Sequence, residues 1–399
     1  MKIMLLCGYF AKENEQEVNE NAKVAVEYSA NIFQDKLIEG LEEDNYDFEV
    51  VSAPFIGAFP NAYKQVFFKG FKEKQNRCKY VKFNNLWGVR NFSRANALKR
   101  SIKDFIEYKD AEKLIIVYSV HTPLLSAAVY AKQKEPNIKI CLIVPDLPQY
   151  MNLSTKKSWL YKLGKKFDIK KFNKLNKSVD SYVLLTGAMT EKLDVHNKPY
   201  IVAEGIVSKK QLEEMADKSD LPRKEKGCKY IVYTGKMYEK FGVKDLLDAF
   251  ESIENSSLRL LLCGSGDLNK YICELSKKDK RIIYKGQVTP EESLSWVKAA
   301  DLLVNPRKDE GEYTKYSFPS KNIEYLLSGN PVLAYKLAGM PTEYEGFILR
   351  IRSLKKDIVD FLNLQNQDGF SYLNYKAYCY RYLFANNYIS RIIKLCYPI

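Results

Sequence analysis

"KYIVYTGKMYEKFGVKDLLDAF", residues Lys229 to Phe250, decides the fold. Its first six residues form an almost unbroken apolar run of strand length, too continuous for a strand with one wet face. A turn containing Gly235 follows. Beyond it Val243, Leu246, Leu247 and Phe250 recur at helical spacing. Strand, glycine turn and amphipathic helix together make the repeating unit of a parallel sheet covered by helices on both faces.

The unit recurs along the chain. "KIMLLC", "FEVVS", "KLIIVYS", "IKICLIV", "SYVLLT" and "PYIVA" occupy the first half, and "KYIVYT", "LRLLLC", "RIIYKG", "DLLVNP" and "PVLAY" the second. Between the series lies "SKKQLEEMADKSDLPRKEKGCK", polar and without an apolar run, which places a domain junction near residues 206 to 228. At 399 residues the chain exceeds what one core usually sustains, so the expectation is α/β twice over, in two domains.

Composition narrows the function. The chain is 46% apolar and 28% charged, an ordered globular mix. No apolar run reaches the roughly 18 residues of a membrane span, so a cytosolic protein is expected. Eight cysteines are scattered without C-x-x-C spacing, several inside strand runs, and read as buried thiols. With only His121 and His196, a His-rich metal centre is excluded. A net charge of +14 asks for an anionic partner: nucleotide, nucleic acid or lipid.

In such sheets ligands bind beyond the carboxyl ends of the strands. In "YSFPSKNIEYLLSGNPVLAY", residues Tyr316 to Tyr335, Pro319 suits a helix start and Gly329 a stop, which predicts a helix of about ten residues. Its first amides, near Ser320 and Lys321, form an anion site, and Glu324 one turn on is placed to accept two ribose hydroxyls. A partly exposed glutamate without a role fits the same spacing. Gly235, Lys236 and Lys240 follow a strand and suit the neutralisation of a departing diphosphate; a solvated loop is the plain alternative. Gly264, Ser265 and Gly266 let backbone approach a ligand. His121 ends a strand ahead of a helix opened by Thr122 as N-cap and Pro123. Asp146 stands at an equivalent strand end between Pro145 and Pro148, where it can orient a hydroxyl or act as a base. Either residue also fits a structural polar role.

Two stretches are basic and aromatic. "STKKSWLYKLGKKFDIKKFNKLNK" carries nine lysines among Trp159, Tyr161, Phe167 and Phe172, and "YKQVFFKGFKEK" repeats the pattern. They suit an anionic membrane surface, with RNA or plain solvation as the alternatives.

Taken together, "RIIYKGQVTPEESLSWVKAADLLVNPR", "FPSKNIEYLLSGNPVLAY" and "AGMPTEYEG" resemble the donor-binding half of retaining GT-B glycosyltransferases of family 4, the bacterial enzymes of capsule and exopolysaccharide assembly. The resemblance runs from Tyr230 to Tyr380; the amino-terminal half matches in layout. It implies two Rossmann-like domains facing each other across a cleft: residues 1–205 for the acceptor, 206–375 for the nucleotide sugar, and a helix at 376–399 returning to the first domain. It implies that Glu324 binds the ribose, that Gly235, Lys236 and Lys240 hold the diphosphate, with Phe241 where a lysine is usual, that Gln287 and Val288 form the base-binding turn, and that His121 lies near the transferred sugar. Gly8, Gly264, Ser320 and Lys321 complete the expected donor contacts. In one departure, the family's second glutamate, eight residues before the ribose-binding one, is Tyr316 here. Tyr316 with the amides of Ser317 and Phe318 is expected to take its place; Glu310 or Glu312, or impaired activity, are the other outcomes.

The resulting expectation is a hexosyltransferase that retains configuration, with catalytic candidates His121, Asp146, Lys236 and Lys240. No metal or other cofactor is expected, since no D-x-D motif follows a strand. The expected partners are a nucleoside diphosphate sugar, a lipid-linked saccharide and the inner membrane face, and no nucleic acid. A weak GT-B scaffold, a sugar epimerase and a basic nucleic-acid binder are the rivals.

Overall fold

In a computed structural model the residues described are 1–24, 26, 28–71, 78–109, 111–147, 159–195, 197–363 and 372–398. Pro148, His196 and residues 72–74 and 154–158 of the two basic stretches lie outside them. The chain forms two compact units, Met1–Ser208 with Tyr382–Ile399, and Lys209–Arg381.

Among the described residues of the first unit nine strands form: β1 (Lys2–Cys7), β2 (Asp47–Ser52), β3 (Phe67–Phe68), β4 (Lys79–Tyr80), β5 (Phe83–Asn84), β6 (Lys113–Tyr118), β7 (Lys139–Val144), β8 (Ser181–Leu184) and β9 (Tyr200–Val202). Seven of them make a parallel sheet in the order β4-β2-β1-β6-β7-β8-β9. The order reverses at β1, so the switch point lies between β1 and β6. Every residue of β6 is buried, as a strand covered on both faces requires. The remaining two strands, β3 and β5, pair antiparallel as a short ribbon.

The chain's last helix, Ala385–Cys396, belongs to this unit's core. Tyr388, Ile389 and Ile392 are fully buried beside Leu37, Ile38 and Leu41. Burying such side chains stabilises by about 1.5–3 kcal/mol each, which explains why an aromatic tail holds fast here. Val207 N donates to Leu383 O at 2.8 Å and Ala385 N to Val207 O at 2.9 Å. Residues 372–378 stay with the second unit, where Tyr375 and Tyr378 join the rings of Tyr344 and Phe347.

The second unit carries β10 (Lys229–Thr234), β11 (Leu258–Cys263), β12 (Ile282–Gly286), β13 (Leu302–Asn305), β14 (Val332–Ala334) and β15 (Leu349–Arg350), parallel in the order β12-β11-β10-β13-β14-β15. The helix Val243–Glu251 buries Val243, Leu246, Leu247 and Phe250, the stripe its sequence carries. Here the switch point lies between β10 and β13. No helix among the described residues is long and apolar enough to cross a membrane.

Candidate functional site

The second unit gathers its candidates around that switch point. Beyond β10 the chain turns at Gly235, whose amide donates to Cys263 O at 2.9 Å, and beyond β11 at Gly264, whose amide donates to Gly286 O at 2.7 Å. The three strand ends are thereby laced together. A Cβ on Gly264 would stand 1.8 Å from Gly235 O, and its φ of +134° excludes other residues in any case. Tyr284 hydroxyl closes the lacing by donating to Gly264 O at 3.0 Å.

Lys236 is exposed on this turn. Lys240 follows in a short 3-10 turn, Glu239–Phe241, its ammonium 5.5 Å from the Tyr238 ring centre and 5.3 Å from that of Phe241. The aromatic at position 241 thus acts as a platform for Lys240.

The helix predicted over ten residues is shorter, Lys321–Leu327. Asn322 N donates to Pro319 O at 2.8 Å, so Pro319 and Ser320 form an i to i+3 turn ahead of it rather than its first turn. Two buried anchors hold it. Tyr325 hydroxyl accepts from Thr234 N at 2.8 Å and donates to Thr234 O at 3.1 Å, tying the helix to the end of β10. Asn322 Oδ1 accepts from Asn305 at 2.6 Å, tying it to the end of β13. Glu324 and Lys321 are carried between these anchors, and Lys321 Nζ donates to Glu324 Oε1 at 2.8 Å.

Tyr316 is buried, and its hydroxyl donates to Glu312 Oε1 at 3.4 Å. The tyrosine and one of the alternative glutamates therefore meet in one contact. Ser317 Oγ accepts from Arg307 at 2.7 Å, and Phe318 packs edge-on against Tyr344. Gln287 is exposed and Val288 partly exposed past β12, the edge strand, just before Thr289 caps the helix Pro290–Ala299.

Sequence reasoning missed Arg307. It stands two residues past β13, its guanidinium 5.9 Å from the Phe241 ring and 5.5 Å from that of Tyr313, with Nε buried and without a partner among the described residues. A cation at the switch point with an unmet donor is suited to a phosphate oxygen. The signal was only a basic residue after "LLVNP"; its orientation depends on Ser317, ten residues away.

In the first unit Gly8, Phe55 and His121 meet beyond β1, β2 and β6. Phe55 N donates to Gly8 O at 2.9 Å, and a Cβ on Gly8 would stand 2.1 Å from the Phe55 ring. That ring stacks on His121, centroids 4.7 Å apart. The N-cap of the helix Thr122–Lys134 is His121 and not Thr122, because the Thr122 hydroxyl is engaged by Asp168 Oδ1 at 2.6 Å. Burial, with Arg94 and Arg90 adding like charge, pushes the His121 imidazole down to about 3, so it is neutral at physiological pH. Arg94 itself is buried, donating to Pro54 O at 2.7 Å. Asp146 is exposed past β7, and its charge adds to the burial that raises Tyr118.

A cavity of about 480 Å³ opens at the other, amino ends of the first unit's strands, between Lys132, Asp180 and Lys198. Two of its three cations are engaged: Lys132 pairs with Asp180 at 2.5 Å, and Lys198 donates to the carbonyls of Asn176, Lys177 and Val179. Lys198, through Asn176 O, caps the end of the helix Trp159–Asn176. Among the described residues no three His, Cys, Asp or Glu side chains converge as a metal site.

Residues 228–363 match the family model described as "Glycosyl transferases group 1". No curated protein matches the chain. Solved structures resemble it over nearly its full length. A lipopolysaccharide outer core galactosyltransferase, WaaB, aligns with a TM-score of 0.59 at 14% identity, covering 99% of both chains. Anabaena Alr3699/HepE in complex with UDP aligns at 0.58 and 13%, covering 99% of this chain and 100% of that one. Sucrose-phosphate synthase from Thermosynechococcus elongatus aligns at 0.62 and 13%, covering 99% and 98%. At such identities the likeness shows the fold, the two Rossmann-like units of GT-B glycosyltransferases.

Proposed function

We propose that the chain is a retaining glycosyltransferase of the family 4 type. It transfers a hexose from a nucleoside diphosphate sugar to a lipid-linked saccharide in surface polysaccharide synthesis. The observation that carries this reading is the doubly anchored helix Lys321–Leu327, which holds a cation and a carboxylate one turn apart beside two strand ends. A nucleoside diphosphate needs that pair: the carboxylate for the ribose hydroxyls, the cation for the phosphates. The match to "Glycosyl transferases group 1" over residues 228–363 supports it.

The chemistry follows from charge. As the bond between sugar and diphosphate breaks, negative charge grows on the leaving oxygen, and Lys236, Lys240 and Arg307, together with Lys321, are cations to offset it. The acceptor hydroxyl attacks from the face the diphosphate leaves, and the departing phosphate oxygen takes its proton, so no protein nucleophile is required. His121, neutral, serves as a hydrogen-bonding partner for a sugar hydroxyl and not as a cation. Asp146 orients the acceptor. Tyr316 with the Ser317 and Phe318 amides takes over from the family's second glutamate. No metal ion takes part.

The excess of 63 Lys and Arg over 49 Asp and Glu supports action beside an anionic membrane, on the cytoplasmic side where nucleotide sugars are made. The reading is tested by supplying radiolabelled UDP-glucose, UDP-galactose or GDP-mannose with lipid extract, with and without EDTA. Label entering the lipid fraction equally in both, with the donor's anomeric configuration kept, is the expected result. Donor hydrolysed or epimerised with no labelled lipid, or an absolute need for metal, would overturn it.

A further inference from the structure

The ribbon of β3 and β5 is apolar on its inner face, and its outer face pairs Phe67 with Asn84. Inward, Phe68 and Phe83 are buried, their centroids 5.1 Å apart, and Arg94 lies 4.4 Å over Phe83. On the outside, alternation should present polar groups to water. Instead Val66, Phe67, Leu86, Trp87, Val89 and Phe92 are exposed, from 38% for Leu86 to 68% for Phe92. Backbone bonds tie the segment together: Asn85 N donates to Val66 O at 2.7 Å, Phe67 pairs with Asn84, Val89 N donates to Leu86 O at 3.1 Å, and Phe92 follows in the first turn of the helix Arg90–Ser101. Exposed apolar residues scattered singly are ordinary; six shared among the ribbon, the turn after it and the first turn of the helix Arg90–Ser101 are not.

The charge around them is one-sided. From Phe59 to Phe92 the sequence carries eight Lys and Arg against one Glu. Lys64, Lys69 and Lys82 of that segment are exposed.

We propose that this ribbon and turn are the surface by which the chain docks on anionic lipid, with Trp87 and Phe92 entering the headgroup layer and Lys64, Lys69 and Lys82 holding lipid phosphates. The inference rests on the membrane partner proposed above and gives it an address. Exposed aromatic and aliphatic side chains interleaved in sequence with exposed lysines match a bilayer interface, apolar beneath and anionic above. A second copy of the chain would bring two strongly basic segments together, and they repel. Nucleic acid would use the aromatic rings, but Val66, Leu86 and Val89 offer bases nothing to stack on.

The test is co-sedimentation with vesicles of phosphatidylcholine alone or mixed with phosphatidylglycerol, for the wild type, Trp87→Ser/Phe92→Ser and Lys69→Glu/Lys82→Glu. Each sample is also titrated with UDP and GDP and sized by light scattering. Wild type bound to the anionic vesicles and weakly to the neutral ones, with about a tenfold or greater loss in each double variant, is expected. Unchanged circular dichroism and thermal unfolding show that the variants fold. Three outcomes overturn the proposal: no sedimentation of the wild type, variants that sediment as the wild type does, or a wild-type dimer that Trp87→Ser/Phe92→Ser makes monomeric. Salt-sensitive RNA binding lost in the same variants would give the face to nucleic acid instead. Failure of the transferase reading appears separately, in the nucleotide titration of the wild type.

Discussion

Lys321 Nζ donates to Glu324 Oε1 at 2.8 Å, so the two charged groups of the helix Lys321–Leu327 are each other's partner. Both side chains are partly exposed, and such pairs contribute about 0.2–1 kcal/mol. Hydrogen bonds from hydroxyls to a carboxylate contribute about 1.5–3 kcal/mol each. Under the function proposed above, a ribose offering two hydroxyls would displace the lysine and release it toward the phosphates. Without a ligand the pair offsets the charge of the two side chains at the helix start.

The anchor beneath that pair is testable. Tyr325→Phe removes the hydroxyl that meets both Thr234 N and Thr234 O in a fully buried place. The orphaned amide costs about 1–3 kcal/mol. Urea unfolding is expected to show this loss, and calorimetry a weaker nucleotide affinity in the protein that remains folded. Unchanged affinity would mean that the helix position does not matter to binding.

Among the cations, Lys236→Ala and Arg307→Ala are expected to lower kcat by about tenfold or more, as removal of charge stabilisation in a transition state does. Lys240→Ala is expected to do less, because its ammonium rests over Tyr238 and Phe241. Steady-state kinetics on the three variants check the ranking.

Gly264→Ala is expected to disrupt the second unit, because its Cβ would meet Gly235 O at 1.8 Å in a backbone conformation alanine avoids. Overpacking of this kind costs about 1–3 kcal/mol or more. Thermal unfolding measures it, and a variant as stable as the wild type would contradict the laced strand ends.

His121 gives a pH dependence with a definite sign. Its folded value, about 3, lies below the ordinary 6.5, so between the two the unfolded chain binds the proton and the folded chain does not. The stability of the first unit is full above pH 6.5 and declines as pH falls toward 3. In His121→Gln that part of the slope should disappear. Urea midpoints measured between pH 8 and pH 4.5 test it; parallel curves for wild type and variant would contradict the neutral imidazole.

Much of this was legible in the sequence because parallel strands buried on both faces write themselves as continuous apolar runs, as in β1, β6, β10 and β11. The ribbon of β3 and β5 was not, since two-residue strands leave no period. Proline and glycine marked the ends of the helix at Lys321 but not that Pro319 and Ser320 turn more tightly, a choice made by the Asn322 amide. Thr122 looked like an N-cap from local order alone, while its partner Asp168 is 46 residues away. Lys236 and Gly264 could be named as candidates because the positions after strand ends are predictable, and Glu324 because proline and glycine bracket its helix. Arg307, the anchors Tyr325 and Asn322, and the contact of Tyr316 with Glu312 depend on pairings between loops, which no local pattern encodes.

The most direct measurement is a calorimetric titration of the purified protein with UDP and with GDP, wild type beside Glu324→Gln. Micromolar binding of one nucleotide by the wild type, weakened by about tenfold or more in the variant, is the predicted result. Binding of neither nucleotide, or equal binding by both proteins, would contradict the assignment of Glu324 as the sugar clamp of a nucleotide site.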